Sequence, residues 1–498
     1  MSACFLKVSV QNPVHFFTSR AHEQLLDVYD VIVVGGGLAG LTTAALTAKK
    51  GKRVLLLERN YIPGGCASSY YRNGAVFDSG ATTLLGLSEG MPLRIVLDEL
   101  GVDLPAKKLN VPMQVHLATG ETLTRFEDRE AWIGEAERVF GAQGQRKFWE
   151  RCFKLSDFVW DSAMRFRYFP PTHFRDVVSL ASNARPKDLA YLKYAFQTVE
   201  EWLAACGLND NATFRQFIHQ QLLITAQNHA SEVNLLFGAA ALCYTNYPNY
   251  TLPGGMVRLV KALSDSFVQS GGHVVYRAEV QKITQMADKR WKVHCNNSSF
   301  KGSSLVSAIP LHNFNSLLDA SFQKVKIAAG NRLNSALQFN AVLRNWTGGD
   351  VLHHQAHIND GTRSVFFSVS EREDVLRADV GLRVLSATTH SNLAGDAEID
   401  KNQWAQQVIE FAEQRKLFRR EDIVAYHVSD AVNWQQWTGR YRGFVGGIPQ
   451  VRHIKPWMMN RQQKGTNLFF CGDSVYPGQG IPGVVLSGWQ VASRILRK

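Results

Sequence analysis

Two separated stretches of the sequence combine glycines with a single carboxylate in a way that suits a ligand rich in phosphates and hydroxyls. The first contains Gly35, Gly37 and Gly40, spaced as GxGxxG, and Glu58 follows it. The second, near the C-terminus, reads CGDSVYPGQGIPG and sets Asp473 among glycines and prolines. Glycines let the backbone approach a pyrophosphate, and a carboxylate accepts hydrogen bonds from sugar hydroxyls. Both stretches therefore predict contact with a polar, phosphate- or hydroxyl-bearing ligand.

A strand, a helix and a second strand frame the first stretch. The apolar, β-branched run at residues 31–34 predicts a buried strand, and residues 41–50 have the alanine-rich character of a helix. A second apolar run at residues 54–57 then ends at Glu58. This order is typical of the mononucleotide-binding unit of a Rossmann-like α/β fold.

Each residue of this unit has a defined role in holding a dinucleotide. Gly35 allows the tight turn after the strand, Gly37 lets the backbone approach the pyrophosphate, and Gly40 lets the helix pack closely on the strand. Glu58 stands at the spacing where an acidic residue hydrogen-bonds a ribose 2′-OH, and its acidity argues against a 2′-phosphate. The fingerprint alone does not separate NAD from FAD.

Two further features favour FAD. Residues 59–87 are rich in glycine, whereas a plain NAD-binding domain would continue with a helix. The apolar run at residues 468–471 predicts a last strand of the same sheet, whose carboxyl end then lies beside the dinucleotide. We expect Asp473 to bind a ribityl hydroxyl. We also expect the helix that starts near Ile481, after Gly480, to direct its N-terminal amides at the flavin ring.

Seven stretches together resemble the carotenoid desaturase and isomerase branch of the FAD-dependent amine-oxidase-like superfamily, from about residue 29 to the end of the chain. They are VIVVGGGLAGL, LLLERNYIPGGCASSY, FDSGAT, TLPGGMVRLVKAL, YTNYP, FVGGIPQ and CGDSVYPGQGIPGVVLSG. The last of them is the most specific. The resemblance is greatest to the bacterial carotenoid 3,4-desaturases and the prolycopene isomerases.

The resemblance implies noncovalently bound FAD, a long apolar tunnel, a carotenoid or other polyene substrate, and reversible membrane contact. It adds three cofactor contacts to those named above, at Gly65, at Gly472 and at Val280, whose backbone would contact the adenine. The reaction that we favour is desaturation, in which an allylic C–H of the polyene loses a hydride to oxidised flavin. Because the resulting cation is delocalised, no general base is required, and we assign no catalytic side chain.

Three other functions stay open. They are a redox-neutral carotenoid cis/trans isomerase, a flavin oxidoreductase acting on another lipid or on an amine, and a non-enzymatic prenyl-protein carrier. We predict no metal site, because neither the histidines nor the seven cysteines show ligand spacing. The cysteines are expected to be free thiols.

The composition of the chain limits the kinds of partner that the protein is expected to bind. The formal net charge is +12, but the basic residues are dispersed, among them Arg167, Arg175 and Arg440, and no nucleic-acid motif is present. A solvated face is the first interpretation and an anionic membrane surface the second. No transmembrane helix or signal peptide is predicted, so we expect a cytoplasmic protein with peripheral membrane contact. The aromatic segment at residues 146–180 could form a core helix, a tunnel lining or an interfacial helix.

The predicted fold class is α/β, with a Rossmann-like FAD-binding domain interleaved with an α+β substrate domain. Residues 106–250 read as helix-rich, and strand-like runs at 336–343, 365–370, 382–389 and 423–428 with a helix at 401–413 predict a second sheet. The predicted divisions are an N-terminal extension at 1–28, an FAD-binding domain from 29–105, 251–315 and 460–498, and a substrate domain from 106–250 and 316–459.

Overall fold

The protein is built on nineteen strands and fourteen α-helices within the residues that its computed structural model describes, which are 10–17, 25–296, 298–319, 322–327, 333–358, 363–393 and 400–497. The strands are β1 (Val28–Val34), β2 (Val54–Leu57), β3 (Ser69–Arg72), β4 (Ala75–Asp78), β5 (Lys107–Lys108), β6 (Met113–His116), β7 (Thr122–Arg125), β8 (Tyr250–Thr251), β9 (His273–Val275), β10 (Val280–Gln285), β11 (Trp291–Cys295), β12 (Ser298–Ser307), β13 (Asn334–Leu343), β14 (His353–Ile358), β15 (Arg363–Val369), β16 (Arg383–Asn392), β17 (Ile423–Ser429), β18 (Gln463–Lys464) and β19 (Leu468–Phe470).

Helices fill the connections between these strands. They are α1 (Leu38–Lys49), α2 (Pro92–Leu100), α3 (Arg129–Phe140), α4 (Gln145–Arg165), α5 (Phe174–Asn183), α6 (Leu189–Leu192), α7 (Val199–Ala205), α8 (Ala212–Ala226), α9 (Leu235–Leu242), α10 (Val257–Gln269), α11 (Leu311–Leu317), α12 (Lys401–Gln414), α13 (Ala431–Thr438) and α14 (Ile481–Leu496). Side-chain caps begin several of them; Asp128, for example, accepts a hydrogen bond from Ala131 N at the start of α3 (2.8 Å). None of the helices in the described ranges is long and apolar enough to cross a bilayer.

The first sheet contains the predicted dinucleotide-binding unit. Its strand order is β10–β11–β12–β1–β2–β9, with β19 beside the second half of β12 and β18 beside β19. Strand β1 is parallel to β2 and β12, and β19 is parallel to β12. Apolar side chains cover both faces of β1 and β2, with α1, α10 and α14 on one of them, which explains why these strands are continuously apolar. The carboxyl ends of β1 and β19 consequently lie at one edge of the sheet.

The second sheet has the order β17–β13–β16–β15–β14–β6–β7 and is antiparallel except for the β14–β6 pair. One face packs on α12, where Leu385 and Ala387 of β16 share an apolar core with Trp404. The alternate residues of β16, such as Ser386 and Thr388, line a cavity instead. The sheet therefore has one apolar face and one polar face.

Helices α3, α4, α7, α8 and α9 form a layer around a third apolar core. Phe148, Trp149 and Cys152 of α4 are buried in that core, whereas Phe158 and Val159, farther along the same helix, line the cavity. The aromatic segment thus supplies both a core helix and a cavity wall.

The predicted elements of the second sheet correspond to β13, β15, β16, β17 and α12. Strand β14, whose six residues are all buried, was not predicted, and β6 and β7 lie in a segment that reads as helix-rich. In the predicted N-terminal extension, residues 13–16 form a 3-10 helix and Phe17 is buried, while residues 1–9 and 18–24 lie outside the described residues. The domain boundaries stay a prediction.

Candidate cofactor and substrate cavity

A cavity of about 860 Å³ joins residues of both sheets with residues of α4, α8 and α9. Nine of the ten predicted cofactor residues line it, namely Gly35, Gly37, Glu58, Gly65, Val280, Gly472, Asp473, Gly480 and Ile481. The tenth, Gly40, lies behind the wall. Residues more than 400 positions apart in the sequence are therefore brought to one site.

The glycine loop between β1 and α1 has the geometry that a pyrophosphate requires. Gly35 has a φ of +102°, which strongly favours glycine. A Cβ on Gly40 would overlap the carbonyl oxygen of Gly35 and come within 2.9 Å of Ala308 Cβ, so glycine sets the approach of helix to strand. Leu38 and Ala39, whose N–H groups have no intrahelical acceptor at the start of α1, line the cavity. These features fit an anionic group at the helix N-terminus.

Glu58, at the end of β2, is only 8% exposed and its carboxylate is fixed by backbone donors. Oε2 accepts a hydrogen bond from Gly36 N (2.7 Å), and Oε1 accepts one from Asn60 N (2.8 Å). Burial raises the pKa of Glu58, although the hydrogen bonds from Asn60 and Gly36 act in the opposite direction. Val280, at the start of β10, lines the same part of the cavity. The carboxylate therefore has a defined position for a hydroxyl donor.

The C-terminal stretch completes this part of the wall. Gly472 follows β19 with a φ of +105°, and its N–H donates to Ser487 Oγ of α14 (2.8 Å). Gly480 is the N-cap of α14, which begins at Ile481. A Cβ on Gly65 would lie 3.7 Å from Gly37 Cα, so the glycine-rich segment after β2 contacts the first loop.

The partner of Asp473 was not predicted. Arg440 Nη2 lies 2.8 Å from Asp473 Oδ2, and the two side chains are only 10% and 17% exposed. Arg440 Nε also donates to the carbonyl of Phe444 (2.7 Å). Burial lowers the pKa of Arg440, but Asp473 and Cys66 outweigh it and raise that pKa. Arg440 is thus part of the cavity wall rather than of a solvated face.

The rest of the wall is mainly apolar. It includes side chains from several helices and loops, namely Phe158, Val159, Phe166, Phe169, Ile224, Leu236, Phe237, Trp457 and Met459. The charged residues of the described wall are Glu58, Arg59, Glu279, Arg440 and Asp473. Four of them flank strands of the first sheet, and the fifth, Arg440, is paired with Asp473. The apolar part therefore suits a neutral, hydrophobic ligand.

Two polar residues of the wall were also missed. His390 of β16 and Gln227, at the C-terminal end of α8, both line the cavity and are in contact, 2.9 Å apart between Nε2 atoms. His353, His354 and His357 are buried but do not line it. No local sequence pattern marks His390 or Gln227 as a cavity residue. His390 is distinguished from the other histidines only by the face of the strand on which it lies.

Cysteine and metal chemistry are not indicated by the described residues. The six cysteines in the described ranges are free, while Cys4 lies outside them. Cys66 lines the cavity beside Arg440, and burial raises the pKa of its thiol. Within the described chain, no group of three or more His, Cys, Asp or Glu side chains is placed to hold a metal ion.

Comparison with known proteins shows the family. The family model of flavin containing amine oxidoreductases matches residues 38–496. Prolycopene isomerase 1 of an Oncidium hybrid cultivar is 26% identical over 94% of this chain and 84% of its own length. The human all-trans-retinol 13,14-reductase is 25% identical, over 57% of this chain and 46% of its own. A putrescine oxidase double mutant has a similar fold, with a TM-score of 0.66 and 15% identity over 95% of this chain and 99% of that one.

These findings confirm the predicted fold class, the FAD cofactor and the resemblance to the carotenoid isomerase and desaturase branch. They do not support the non-enzymatic carrier, since the matched family is one of flavoenzymes. The glycine loop, the fixed carboxylate of Glu58 and the N-terminus of α14 fit that cofactor. The protein is an FAD-dependent enzyme and belongs to the flavin containing amine oxidoreductase family.

Proposed function

We propose that the protein is an FAD-dependent isomerase that converts cis double bonds of a long apolar polyene to trans. The observation that supports this most directly is the continuity of one cavity from the dinucleotide loops to a mainly apolar wall. Relatives named as prolycopene isomerases match nearly the whole chain, which favours isomerisation over the desaturation that we expected from the sequence. FAD, when bound, supplies reversible electron-transfer chemistry that side chains lack.

We assign the cofactor contacts as follows. The backbone at Gly35, Gly37 and the start of α1 holds the pyrophosphate, and Gly40 keeps α1 close enough to do so. Glu58 accepts a hydrogen bond from a ribose hydroxyl, and the backbone of Val280 contacts the adenine. The flavin half is held by Gly65, Gly472, Asp473, Gly480 and Ile481, with Arg440 orienting the carboxylate of Asp473.

A neutral substrate is favoured over an amine by the distribution of charge. The carboxylates of the described wall are Glu58, Glu279 and Asp473, which flank strands of the first sheet, so the apolar part offers no carboxylate to an ammonium group. Binding there must come from burial of apolar area, at about 25 cal/mol per Å² before the costs of association. A long polyene has the area that such a wall can bury.

The reaction is tested by mixing FAD-loaded enzyme anaerobically with a cis-polyene hydrocarbon. We expect an all-trans or less-cis product of unchanged mass, and a flavin spectrum that is the same before and after turnover. A product two hydrogens lighter, with bleaching of the flavin in proportion, would show desaturation instead. If the enzyme converts nothing with either oxidised or prereduced flavin, both isomerisation and desaturation of this polyene are excluded.

The position of the substrate is tested by filling the cavity. Ala240 of α9 lines the apolar wall, so Ala240→Trp should abolish conversion while FAD content is retained. Ala204 of α7 is exposed, and Ala204→Trp is the matched control that should convert normally. Normal turnover in Ala240→Trp would place the substrate elsewhere.

We also propose that the enzyme collects its substrate from a membrane surface. An exposed apolar patch lies on the segment from α5 to residue 196 and consists of Phe174, Val177, Val178, Leu189, Leu192 and Phe196. Phe174 is 82% exposed and Leu189 is 71% exposed. Leu192 also lines the cavity, so the patch is continuous with its wall.

Basic residues accompany the patch. Arg175, Lys187 and Lys193 are exposed on the same segment, and Lys455 Nζ lies 5.1 Å from the ring of Phe196. Apolar side chains flanked by cations are typical of surfaces that bind anionic lipid headgroups while burying apolar groups below them.

The membrane proposal predicts flotation with anionic vesicles at low salt. The double variant Phe174→Ser/Leu189→Ser should reduce the floated fraction several-fold, because the two side chains bury apolar area in the interface. Val380 is 87% exposed on the turn that precedes β16, outside the patch, and Val380→Ser is the control that should float normally. Wild-type protein that stays in the dense fraction at low salt would refute membrane contact.

A further inference from the structure

One wall of the cavity, next to its mainly apolar lining, carries polar side chains. Two neighbouring strands, β15 and β16, present a polar strip that we define as Ser364, Ser368, Ser386, Thr388 and His390, all of which line the cavity. Ser368 is directly opposite Ser386 in the antiparallel register. The strip faces the same cavity as the aromatic and aliphatic wall from α4 and α9.

Most hydroxyls of the strip are unpaired. Among the described residues, the side-chain oxygens of Ser364, Ser368 and Thr388 have no hydrogen-bond partner, whereas Ser386 Oγ donates to Asn340 Oδ1 (2.7 Å). By contrast, Ser162 Oγ of α4, which also lines the cavity, donates to the carbonyl of Val159 in its own helix (3.1 Å). Unpaired hydroxyls that meet hydrocarbon carry a free-energy cost.

His390 adds a neutral donor to the strip. Gln227 Oε1 accepts a hydrogen bond from Asn334 Nδ2 (3.2 Å), which identifies the other amide atom as the nitrogen near His390. An amide nitrogen donates, so Nε2 of His390 accepts and Nδ1 bears the proton. Burial lowers the pKa of His390 to about 4, so the ring is neutral at neutral pH.

The strip also has unsatisfied neighbours on the next strand. Gln338 is opposite Thr388 and Asn340 is opposite Ser386 in the β13–β16 register, and Gln338 Nε2 and Asn340 Nδ2 are buried without a partner within the described residues. Buried polar groups are normally paired. Because the strip has hydroxyls and a neutral imidazole but no formal charge, it suits a neutral oxygen rather than a carboxylate or an ammonium group.

We infer that the substrate is an oxygen-bearing polyene whose neutral hydroxyl or carbonyl group hydrogen-bonds to the polar strip. The inference rests on the proposed function and narrows its substrate class. A pure hydrocarbon would leave the strip unpaired, whereas an alcohol or carbonyl would pair with Thr388 and Ser364, on the same wall as the uncharged ring of His390. The polyene chain itself would lie against the apolar wall.

The test compares three polyenes with equal chain length and the same number of conjugated C=C bonds: a hydrocarbon, its terminal alcohol and its terminal aldehyde. Dissociation constants are measured for the FAD-loaded enzyme by quenching of tryptophan fluorescence. We expect the better of the two oxygenated compounds to bind about tenfold more tightly than the hydrocarbon, which corresponds to about 1.4 kcal/mol. Tighter binding of the alcohol would show recognition of a hydroxyl group, and tighter binding of the aldehyde would show recognition of a carbonyl group.

One double variant and one control variant test whether the strip causes this preference. Thr388→Val and Ser364→Ala, combined, should reduce the preference to about onefold with little change in hydrocarbon affinity, while Ser162→Ala should keep it. FAD content verifies folding of each variant. Equal binding of all three polyenes by the wild type, or a preference that survives Thr388→Val/Ser364→Ala, would overturn this inference and leave the proposed function standing. If no polyene binds, the proposed function fails as well.

Discussion

Replacing Asp473 with alanine should weaken FAD binding by about 10- to 150-fold. The carboxylate is proposed to accept a hydrogen bond from the flavin half of the cofactor, and hydrogen bonds to charged groups contribute about 1.5 to 3 kcal/mol. The substitution also leaves Arg440 without its partner at 2.8 Å. Since a nearly buried cation is costly when unpaired, the variant should also unfold at a lower denaturant concentration.

A double-variant comparison separates the two effects. Arg440→Met removes the cation, so Asp473→Ala/Arg440→Met should regain part of the stability that Asp473→Ala loses. Its FAD affinity should stay low if Asp473 itself contacts the cofactor. Dissociation constants from FAD fluorescence and midpoints of urea unfolding are the two measurements. An FAD affinity in Asp473→Ala equal to that of the wild type would contradict the assignment.

The dinucleotide unit was predictable because its determinants are local. Gly35, Gly37, Gly40 and Glu58 lie within one strand–helix–strand segment, and each has a backbone or spacing requirement that few other residues meet. Asp473 was predictable for a related reason, because the carboxyl ends of parallel strands meet at one edge of a sheet. The first inference needed no tertiary contact, and the second needed only that the strand at residues 468–471 join the same sheet, as it does beside β12.

The arginine beside Asp473 depends on a tertiary contact instead. Arg440 reaches the cavity from a turn after α13, and nothing in its neighbouring residues distinguishes it from a solvated arginine. Its burial follows from the ion pair, which forms only when β19 and that turn are brought together. Sequence patterns rarely identify buried charged residues of this kind, because most charged side chains lie on the protein surface.

Strand β14 shows a second limit of prediction from sequence. It reads HHQAHI, and all six residues are buried, although histidine and glutamine give no apolar or alternating signal. Both faces of this strand are buried, so no contrast between an apolar and a polar face identifies it. The polar strip on β15 and β16 became visible only when its residues were placed on one wall.

A buried ion cluster anchors the apolar patch to the C-terminal helix. Asp176 of α5 has a fully buried side chain, and its Oδ2 lies 2.8 Å from Arg494 Nη1 of α14. Arg497, the C-cap of α14, also pairs with this carboxylate, and Thr172 N donates to it (2.9 Å). Arg494 Nη2 donates in addition to the carbonyl of Tyr168 (2.7 Å). The segment that begins the patch is therefore held by charge rather than by apolar packing.

Asp176→Asn should release this segment. Removing one member of a buried ion pair costs about 3 to 5 kcal/mol, because the other charge stays buried without compensation. Amide hydrogen exchange in residues 168–183 should accelerate at least 100-fold, while α12 changes little. The control is Arg185→Met, which removes an exposed pair with Asp161 (3.2 Å) and should cost less than about 1 kcal/mol. Equal exchange in Asp176→Asn and Arg185→Met would show that the cluster does not anchor α5.

The effect of Asp176→Asn should depend on pH with a defined sign. Burial raises the pKa of Asp176, but the hydrogen bonds from Arg497, Thr172 and Arg494 outweigh it and hold that pKa below its usual value. A lowered folded-state pKa contributes stability that is fully present above the unfolded-state pKa of about 3.9 and is lost as the pH falls toward the folded-state value. The difference between wild type and Asp176→Asn should thus be constant from pH 7 to pH 5 and shrink below about pH 4. A difference that stays constant or grows between pH 5 and pH 3 would show that Asp176 is not held as an anion by Arg494 and Arg497, and that the patch is positioned by other contacts.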